Sequence, residues 1–276
     1  MSSILLFTKD TETQLELERL TKNASLRLRS VDTIQGFDQW LSMNPYDAIF
    51  IDSSLDGIDG VELLEKAWKL HPLAIGAIFN RTSELQSEWA ARLSGARVVS
   101  PPLFVQKFEK LISSIRPEKN TTEQTAVLVV EDLDAPRDII CALIESLGYP
   151  EVYGVGSAEE ALQALRKEPR KFFCILTDIN MPEKSGVFLT KEVRKDPLID
   201  HLPIIAITSF PTDEHLIECI KAGATGFLAK PPKKNILRKE LEKAKRIILS
   251  NESPALCKPE DIQLLESELQ RYLDNQ

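Results

Sequence analysis

The chain has 276 residues, which at roughly 150 residues per domain predicts two domains, each large enough to bury its own core. Hydrophobic residues make up 43% and charged residues 28%, and no apolar run approaches the roughly 20 residues of a membrane span, so the composition excludes a disordered or membrane-embedded chain. The net charge of −8 disfavours sequence-independent nucleic-acid binding, because the field of the protein repels polyanions.

The amino terminus is predicted to form a strand. Ile4–Phe7 is a short apolar run without a basic leader, which favours a first β-strand over a signal peptide and predicts a cytoplasmic protein. The cysteines are widely spaced and form no Cys-x-x-Cys pair, so we expect reduced thiols at Cys141, Cys174, Cys219 and Cys257.

An internal repeat divides the chain. An apolar run ending in Asp52 has a counterpart ending in Asp178, and a glycine follows each aspartate eight residues later, at Gly60 and Gly186. Each copy alternates apolar segments with amphipathic ones, a pattern typical of βα units around a parallel sheet. The sequence therefore predicts an α/β fold with two tandem doubly wound domains.

We predict that the first domain spans residues 1–116. Its sequence includes a helix cap at Ser83–Gln86 and a terminal helix from about Leu103 to Ile115. Residues 117–125 are polar and non-periodic, as in a linker.

The second domain is predicted over residues 126–250. Ser157 and Glu160 have capping-box spacing, Gly148 and Gly223 stand where helices stop, and a final helix covers Lys233–Ser250. The five predicted strands are Val127–Val130, Glu151–Gly154, Phe172–Thr177, Ile204–Thr208 and Gly226–Leu228.

Residues 251–276 are predicted to hold a C-terminal amphipathic helix. Apolar side chains recur there at helical spacing, at Ile262, Leu265, Leu269 and Tyr272. A helix this short is not stable alone, so it packs on its own domain or on a partner, and we favour its own domain.

The candidate site lies at the strand ends of the second domain, because functional groups of open α/β sheets gather beyond the carboxyl ends of the strands. Converging carboxylates are hard to ionise together without a cation, and all-oxygen ligands suit Mg²⁺. The residues concerned are Glu131, Asp132, Asp178, Thr208 and Lys230.

With such a metal present, Asp178 could act as a nucleophile on phosphorus. Lys230 and the metal would neutralise the transferred group, and the Thr208 hydroxyl could donate to one of its oxygens. The donor would be a phosphohistidine or a small acyl phosphate.

At these positions the second copy resembles the receiver domain of response regulators in bacterial two-component signalling. The motifs that carry the resemblance are Val-Leu-Val-Val-Glu131-Asp132, Thr-Asp178-Ile-Asn180-Met-Pro, Ile-Thr208-Ser and Gly-Phe227-Leu-Ala-Lys230-Pro, with Gly186 beyond the second. The resemblance implies a flavodoxin-like (βα)5 fold.

The resemblance also implies roles for individual residues. Asp178 would be the phosphoacceptor, with the Asn180 backbone carbonyl completing a Mg²⁺ site begun by three acids. The acids are Glu131, Asp132 and Asp178. Thr208 and Lys230 would sense the phosphoryl group, and Phe227 would be an aromatic switch that changes rotamer.

The first copy resembles the same family in architecture and departs from it in chemistry. Thr8-Lys9 stands in place of the acid pair, Phe79 replaces the threonine and Ser100 replaces the lysine. We therefore interpret it as a pseudo-receiver, in which Lys9 pairing with Asp52 could substitute for the metal.

These features predict a response regulator without a DNA-binding or enzymatic output domain. It would not be an enzyme, and would accept phosphate from a histidine kinase or histidine phosphotransfer protein. Output would pass to a downstream protein target, with a possible homodimer, no nucleic acid and no membrane. The alternatives are a phosphorelay intermediate or phosphate sink, a non-phosphorylated scaffold, and a haloacid-dehalogenase-like phosphatase. The last is disfavoured because Asn180 occupies the place of its second acid.

Overall fold

The computed structural model describes residues 2–52, 59–79, 91–99, 111, 115, 124–209, 213–250 and 254–255. Contacts within the chain divide it into two compact units, Met1–Lys119 and Asn120–Gln276. Each unit contains one five-stranded parallel sheet.

The first unit has strands interleaved with helices. Its strands are β1 (Ser3–Phe7), β2 (Arg27–Val31), β3 (Ala48–Asp52), β4 (Ile75–Phe79) and β5 (Arg97–Val99). The helices with described bounds are α1 (Thr11–Asn23), α2 (Ile34–Met43) and α3 (Gly60–Leu70). The strand order is β2-β1-β3-β4-β5.

The second unit repeats this arrangement. Its strands are β6 (Ala126–Val130), β7 (Val152–Val155), β8 (Phe172–Asp178), β9 (Ile204–Thr208) and β10 (Gly226–Ala229). Its helices are α4 (Asp134–Glu145), α5 (Ala158–Lys167), α6 (Gly186–Lys195), α7 (Asp213–Lys221) and α8 (Lys234–Ser250). The order β7-β6-β8-β9-β10 matches that of the first unit.

The observed sheets confirm the prediction of two doubly wound α/β domains. Each of the five predicted strands of the second unit begins and ends within one residue of the observed strand. The central strands β8 and β9 are buried along their whole length, because helices cover both faces of the sheet. Their unbroken apolar sequences are the pattern that such burial produces.

The core of the second unit forms two layers, one on each face of the sheet. Along β6, Leu128 and Val130 pack into one layer, while Val127 and Val129 pack into the other. This alternation follows from the two-residue period of a strand. It leaves the carboxyl ends of the strands free to carry polar side chains.

The helix signals are confirmed with one change. The Ser157 hydroxyl accepts from the Glu160 N–H at 3.2 Å, as predicted for an N-cap. The Glu160 carboxylate, however, accepts from the Gly156 N–H at 2.9 Å, one residue before the position that a capping box uses. Gly148 and Gly223 have φ values of +93° and +99°, the conformation that favours glycine at helix ends.

Four predictions fall wholly or largely outside the described residues. The Ser83–Gln86 cap and Ser100 are among them, and the terminal helix of the first domain is described only at Leu111 and Ile115, which are helical. Of residues 251–276, only 254 and 255 are described. Within the described part of the chain, every helix is too short or too polar to cross a membrane.

Replacing Gly223 by alanine is expected to destabilise the second unit more than the same change at Gly148. Both residues have positive φ, so alanine costs about 1–2 kcal/mol at either position. At Gly223 the new Cβ would also lie 3.0 Å from Arg194 Cγ and Nε, whereas nothing lies within 4 Å at Gly148. Hydrogen exchange of β8 peptides measures the difference, and an equal loss in both variants would contradict this account.

Candidate functional site

The strand order brings the candidate residues to one edge of the second sheet. Glu131 directly follows β6, and Asp178 ends the neighbouring strand β8. Thr208 ends β9, and Lys230 directly follows β10. Because all four strands are parallel, their carboxyl ends meet at this edge and the polar side chains converge there.

Three carboxylates form a compact cluster at this edge. Glu131, Asp132 and Asp178 each offer an oxygen, and these atoms all lie within 4.8 Å of one another. Glu131 is 1% exposed and Asp178 7% exposed, while Asp132 is partly exposed. Like charges held this close are hard to ionise together unless a cation lies among them.

Lys230 supplies one positive charge to the cluster. Its Nζ donates to Glu131 Oε2 at 2.5 Å and to Asp178 Oδ2 at 2.7 Å. Burial lowers the pKa of the ammonium, but the two carboxylate contacts outweigh burial and raise it above its usual value. Lys230 is therefore charged and joins the ends of three strands.

The donor set fits a hard divalent cation. Three carboxylates and one ammonium leave a formal charge of −2 at the cluster. Oxygen ligands with one partly exposed carboxylate suit Mg²⁺, which retains several of its waters when proteins bind it. The described residues thus fit the cation that the sequence predicts.

The Asp178 carboxylate is held on both oxygens. Oδ2 accepts from Lys230, and Oδ1 accepts from the Asn180 backbone N–H at 3.2 Å. The Asn180 side chain is exposed. These contacts fix the orientation of Asp178 toward the acid cluster, and the Asn180 carbonyl as a ligand stays a prediction.

Gly186 has a steric role that the sequence motifs did not predict. A Cβ at this position would lie 2.2 Å from the Asp178 carbonyl oxygen and 3.0 Å from Thr177 Oγ1. Thr177 in turn donates to that carbonyl at 3.0 Å. The start of α6 therefore packs directly on the backbone of Asp178, which only glycine permits. In the sequence, the only indication of this contact was that Asp178 and Gly186 have the same eight-residue spacing as Asp52 and Gly60.

The similarity to known proteins that is described here lies in the second unit. The family model described as "Response regulator receiver domain" matches residues 127–242. The chain is 33% identical over 117 residues to chemotaxis protein CheY-3 of Vibrio cholerae, covering 42% of this chain and 88% of the relative. It is 32% identical over 117 residues to chemotaxis protein CheY of Pseudomonas aeruginosa, covering 42% and 93%.

The chain belongs to the response regulator receiver family. One similar solved structure is the receiver domain of sensor histidine kinase PA1611 from Pseudomonas aeruginosa, described with a magnesium ion coordinated in the active-site cleft. It is 31% identical, covers 45% of this chain and 98% of that chain, and has a TM-score of 0.39.

The two residues predicted to act as a switch, Thr208 and Phe227, are both buried. Thr208 is 1% exposed, and Phe227 on the adjacent strand is 2% exposed. Ala229 of β10 lies beside Thr208 of β9 in the sheet, so the strand that carries Phe227 runs directly past the threonine. A change of rotamer at Phe227 stays a prediction.

The corresponding edge of the first unit has different chemistry. Asp52 ends β3 and is fully buried, and it accepts from the Thr8 hydroxyl at 2.8 Å. Thr8 directly follows β1, the place that Glu131 occupies after β6. Lys9 is exposed, and the contact to Asp52 comes from Thr8 instead of the predicted lysine.

Phe79 and Asp10 also separate the first unit from the receiver pattern. Phe79 ends β4 where Thr208 ends β9, and it is 1% exposed with its ring edge-on to Phe50. Asp10, the next acid after Thr8, caps α1 by accepting from the Thr13 N–H at 2.7 Å. Across the described ranges, a group of three metal-ligating side chains is found only in the second unit.

The raised pKa of Lys230 sets the direction of a pH effect. A lysine whose pKa is higher in the folded state stabilises that state fully below its unfolded pKa of about 10.4. That contribution is lost as the pH rises through the folded-state pKa. A ¹³C NMR titration of the lysine side chains, with the Lys230 signal assigned by its loss in Lys230→Gln, should show a midpoint above 10.4. A midpoint below that value would contradict the assignment of Lys230 to the acid cluster.

Proposed function

We propose that the second unit accepts a phosphoryl group on Asp178 in the presence of Mg²⁺ and transmits the modification to a protein partner. The observation that carries this proposal is the double contact of Lys230, whose Nζ lies within 2.7 Å of carboxylate oxygens of both Asp178 and Glu131. This contact places a cation beside the nucleophile, where a transferred phosphoryl group would need it.

In the proposed reaction, an Asp178 oxygen attacks phosphorus of a phosphohistidine or acyl phosphate. The bond from phosphorus to the donor nitrogen or oxygen breaks, its electron pair leaves with the donor, and an aspartyl phosphate forms. Lys230 would transfer its hydrogen bonds from the carboxylates to oxygens of the phosphoryl group. Phosphoryl transfer depends mainly on positioning and charge stabilisation, which these residues provide.

The cation would be held by Glu131, Asp132, Asp178 and the Asn180 backbone carbonyl. Mg²⁺ bound there supplies charge neutralisation for the transferred group. The partly exposed position of Asp132 leaves one side of the cluster accessible to solvent and to the donor. A histidine kinase or a histidine phosphotransfer protein would be the natural donor.

The first unit is proposed to be a pseudo-receiver. Asp52 is fully buried and accepts a hydrogen bond from Thr8, so its carboxylate is not presented to a phosphoryl donor. We propose a first domain at 1–116, a linker at 117–125, the phosphorylated receiver at 126–250 and a C-terminal helix at 251–276. Signalling would pass through protein contacts, including a possible homodimer, in the cytoplasm.

Asparagine at the two strand-end aspartates tests the proposal. With acetyl phosphate and Mg²⁺, intact-mass analysis should find one phosphoryl group on the wild type and on Asp52→Asn, and none on Asp178→Asn. Asp52→Asn is the matched control because it makes the same change at the equivalent strand end of the other unit. Phosphate retained by Asp178→Asn, or lost from Asp52→Asn, would show that the acceptor has been misassigned.

Thr208→Ala should separate acceptance from response. The hydroxyl is proposed to bond the phosphoryl group after transfer, so the variant should still gain phosphate. A hydrogen bond to a charged group contributes about 1.5–3 kcal/mol, so the population of the switched state should fall roughly tenfold or more. Hydrogen exchange of α7, β10 and α8 peptides before and after phosphorylation measures that response. Equal loss of phosphate and response would contradict separate roles.

A further inference from the structure

Arg137 contacts the loop that carries the acid pair. It lies in the first turns of α4, and its side chain is 18% exposed. One guanidinium nitrogen, Nη1, donates to the Glu131 backbone carbonyl at 2.7 Å, and the other, Nη2, pairs with the Asp134 carboxylate.

The carbonyl that Arg137 binds belongs to the peptide plane joining Glu131 to Asp132. That plane is rigid, so a bond to its oxygen restricts the direction in which the chain leaves Glu131 and enters Asp132. On its other side, the Glu131 N–H donates to the Val155 carbonyl at 3.1 Å. The backbone of the acid pair is therefore held between β7 and Arg137.

Two glycines, Gly154 in β7 and Gly156 directly after it, leave room for the Arg137 side chain. A Cβ on Gly154 would lie 3.1 Å from both Cγ and Cδ of Arg137, which is tighter than ordinary contact. A Cβ on Gly156 would lie 3.6 Å from Nη1. The stem of the arginine thus lies against a strand surface that has no side chain at Gly154, and the guanidinium reaches the Glu131 carbonyl from there.

We propose that Arg137 is a positioning residue for the divalent cation. It holds the Glu131–Asp132 peptide so that both carboxylates meet Asp178 within one cluster. Arg137 does this as a cation near a cation site, where its charge by itself opposes metal binding. Any gain in metal affinity from Arg137 must therefore come from the orientation that it gives the ligands. Loss of its charge alone should raise the affinity for Mg²⁺, whereas loss of the orientation should lower it. The inference rests on the proposed function, because the cation is part of that function.

The test is a calorimetric titration of Mg²⁺ into the full chain and its Arg137→Met variant. Methionine keeps an apolar stem over Gly154 and removes every donor. Loss of a residue that orients metal ligands typically weakens metal binding 10- to 100-fold, so we expect at least about a tenfold loss of affinity. If charge alone mattered, the variant would bind Mg²⁺ more tightly than the wild type.

Two variants control for charge and for the exposed ion pair. Arg166→Met removes the same charge from an arginine of α5 that pairs with Asp196 and is 54% exposed. This variant should leave Mg²⁺ affinity unchanged. Asp134→Asn removes the other partner of Arg137, a carboxylate that is 85% exposed, and should also retain affinity because the Glu131 bond remains. A tenfold loss in either control would overturn the assignment to the Glu131 contact.

Thermal unfolding of each variant shows whether it is folded at the titration temperature. A folded Arg137→Met that binds Mg²⁺ as tightly as the wild type overturns the positioning role alone. Absence of Mg²⁺ binding by the wild type overturns the proposed function as well. If Arg137→Met does not fold, Arg137→Leu replaces it, since leucine keeps an apolar side chain against Gly154 and also removes every donor to the Glu131 carbonyl. Unchanged affinity in that variant would equally overturn the proposal.

Discussion

The mutual repulsion of three carboxylates at one sheet edge is the constraint on which the rest of the second unit depends. Glu131, Asp132 and Asp178 present oxygens within 4.8 Å of one another, and two of these side chains are almost fully buried. Burial strengthens their repulsion, because little solvent remains to screen it. Lys230 offsets one of the three negative charges, and a divalent cation would neutralise the remaining two. A site that is unfavourable without its cation is suited to binding one, as the proposed phosphoryl transfer requires.

The two units show how the same fold carries different chemistry. Both sheets have the same strand order, and Asp52 and Asp178 end equivalent strands. In the first unit a threonine hydroxyl replaces the neighbouring carboxylate, so Asp52 accepts a hydrogen bond from the neutral donor Thr8. Phe79 then fills the place of Thr208 with an apolar ring. The strands need only apolar side chains to form, so the fold persists although its edge has lost the charge pattern.

Local patterns in the sequence predicted most of the fold, and strand-end chemistry predicted most of the site. Strand bounds, the Ser157 cap and the glycine helix ends follow from interactions between near neighbours. The close approach of Gly186 to Asp178 and the reach of Arg137 to the Glu131 carbonyl depend on how α6 and α4 pack. Such contacts depend on tertiary packing. The sequence shows that a glycine or an arginine is present at these positions but does not show what it contacts. The hydrogen bond from Thr8 to Asp52 was likewise not predicted. In the sequence, the charge of Lys9 made it the more obvious partner for Asp52.

Buried charges lie at both ends of β10. At the carboxyl end, Lys230 joins the acid cluster. At the amino end, Glu240 and Lys243 of α8 form a 2.6 Å ion pair, each about 3% exposed, and a Cβ on Gly226 would lie 2.0 Å from the Glu240 carboxylate. Desolvating such a pair offsets much of its attraction, so it contributes less to stability than its short distance suggests. Both residues belong to α8, and the missing side chain of Gly226 leaves room for their pair beside the amino end of β10. Phe227 lies between Gly226, where α8 packs closely on the strand, and Lys230, so a change in the bonds of Lys230 would act on a strand whose other end already packs against α8.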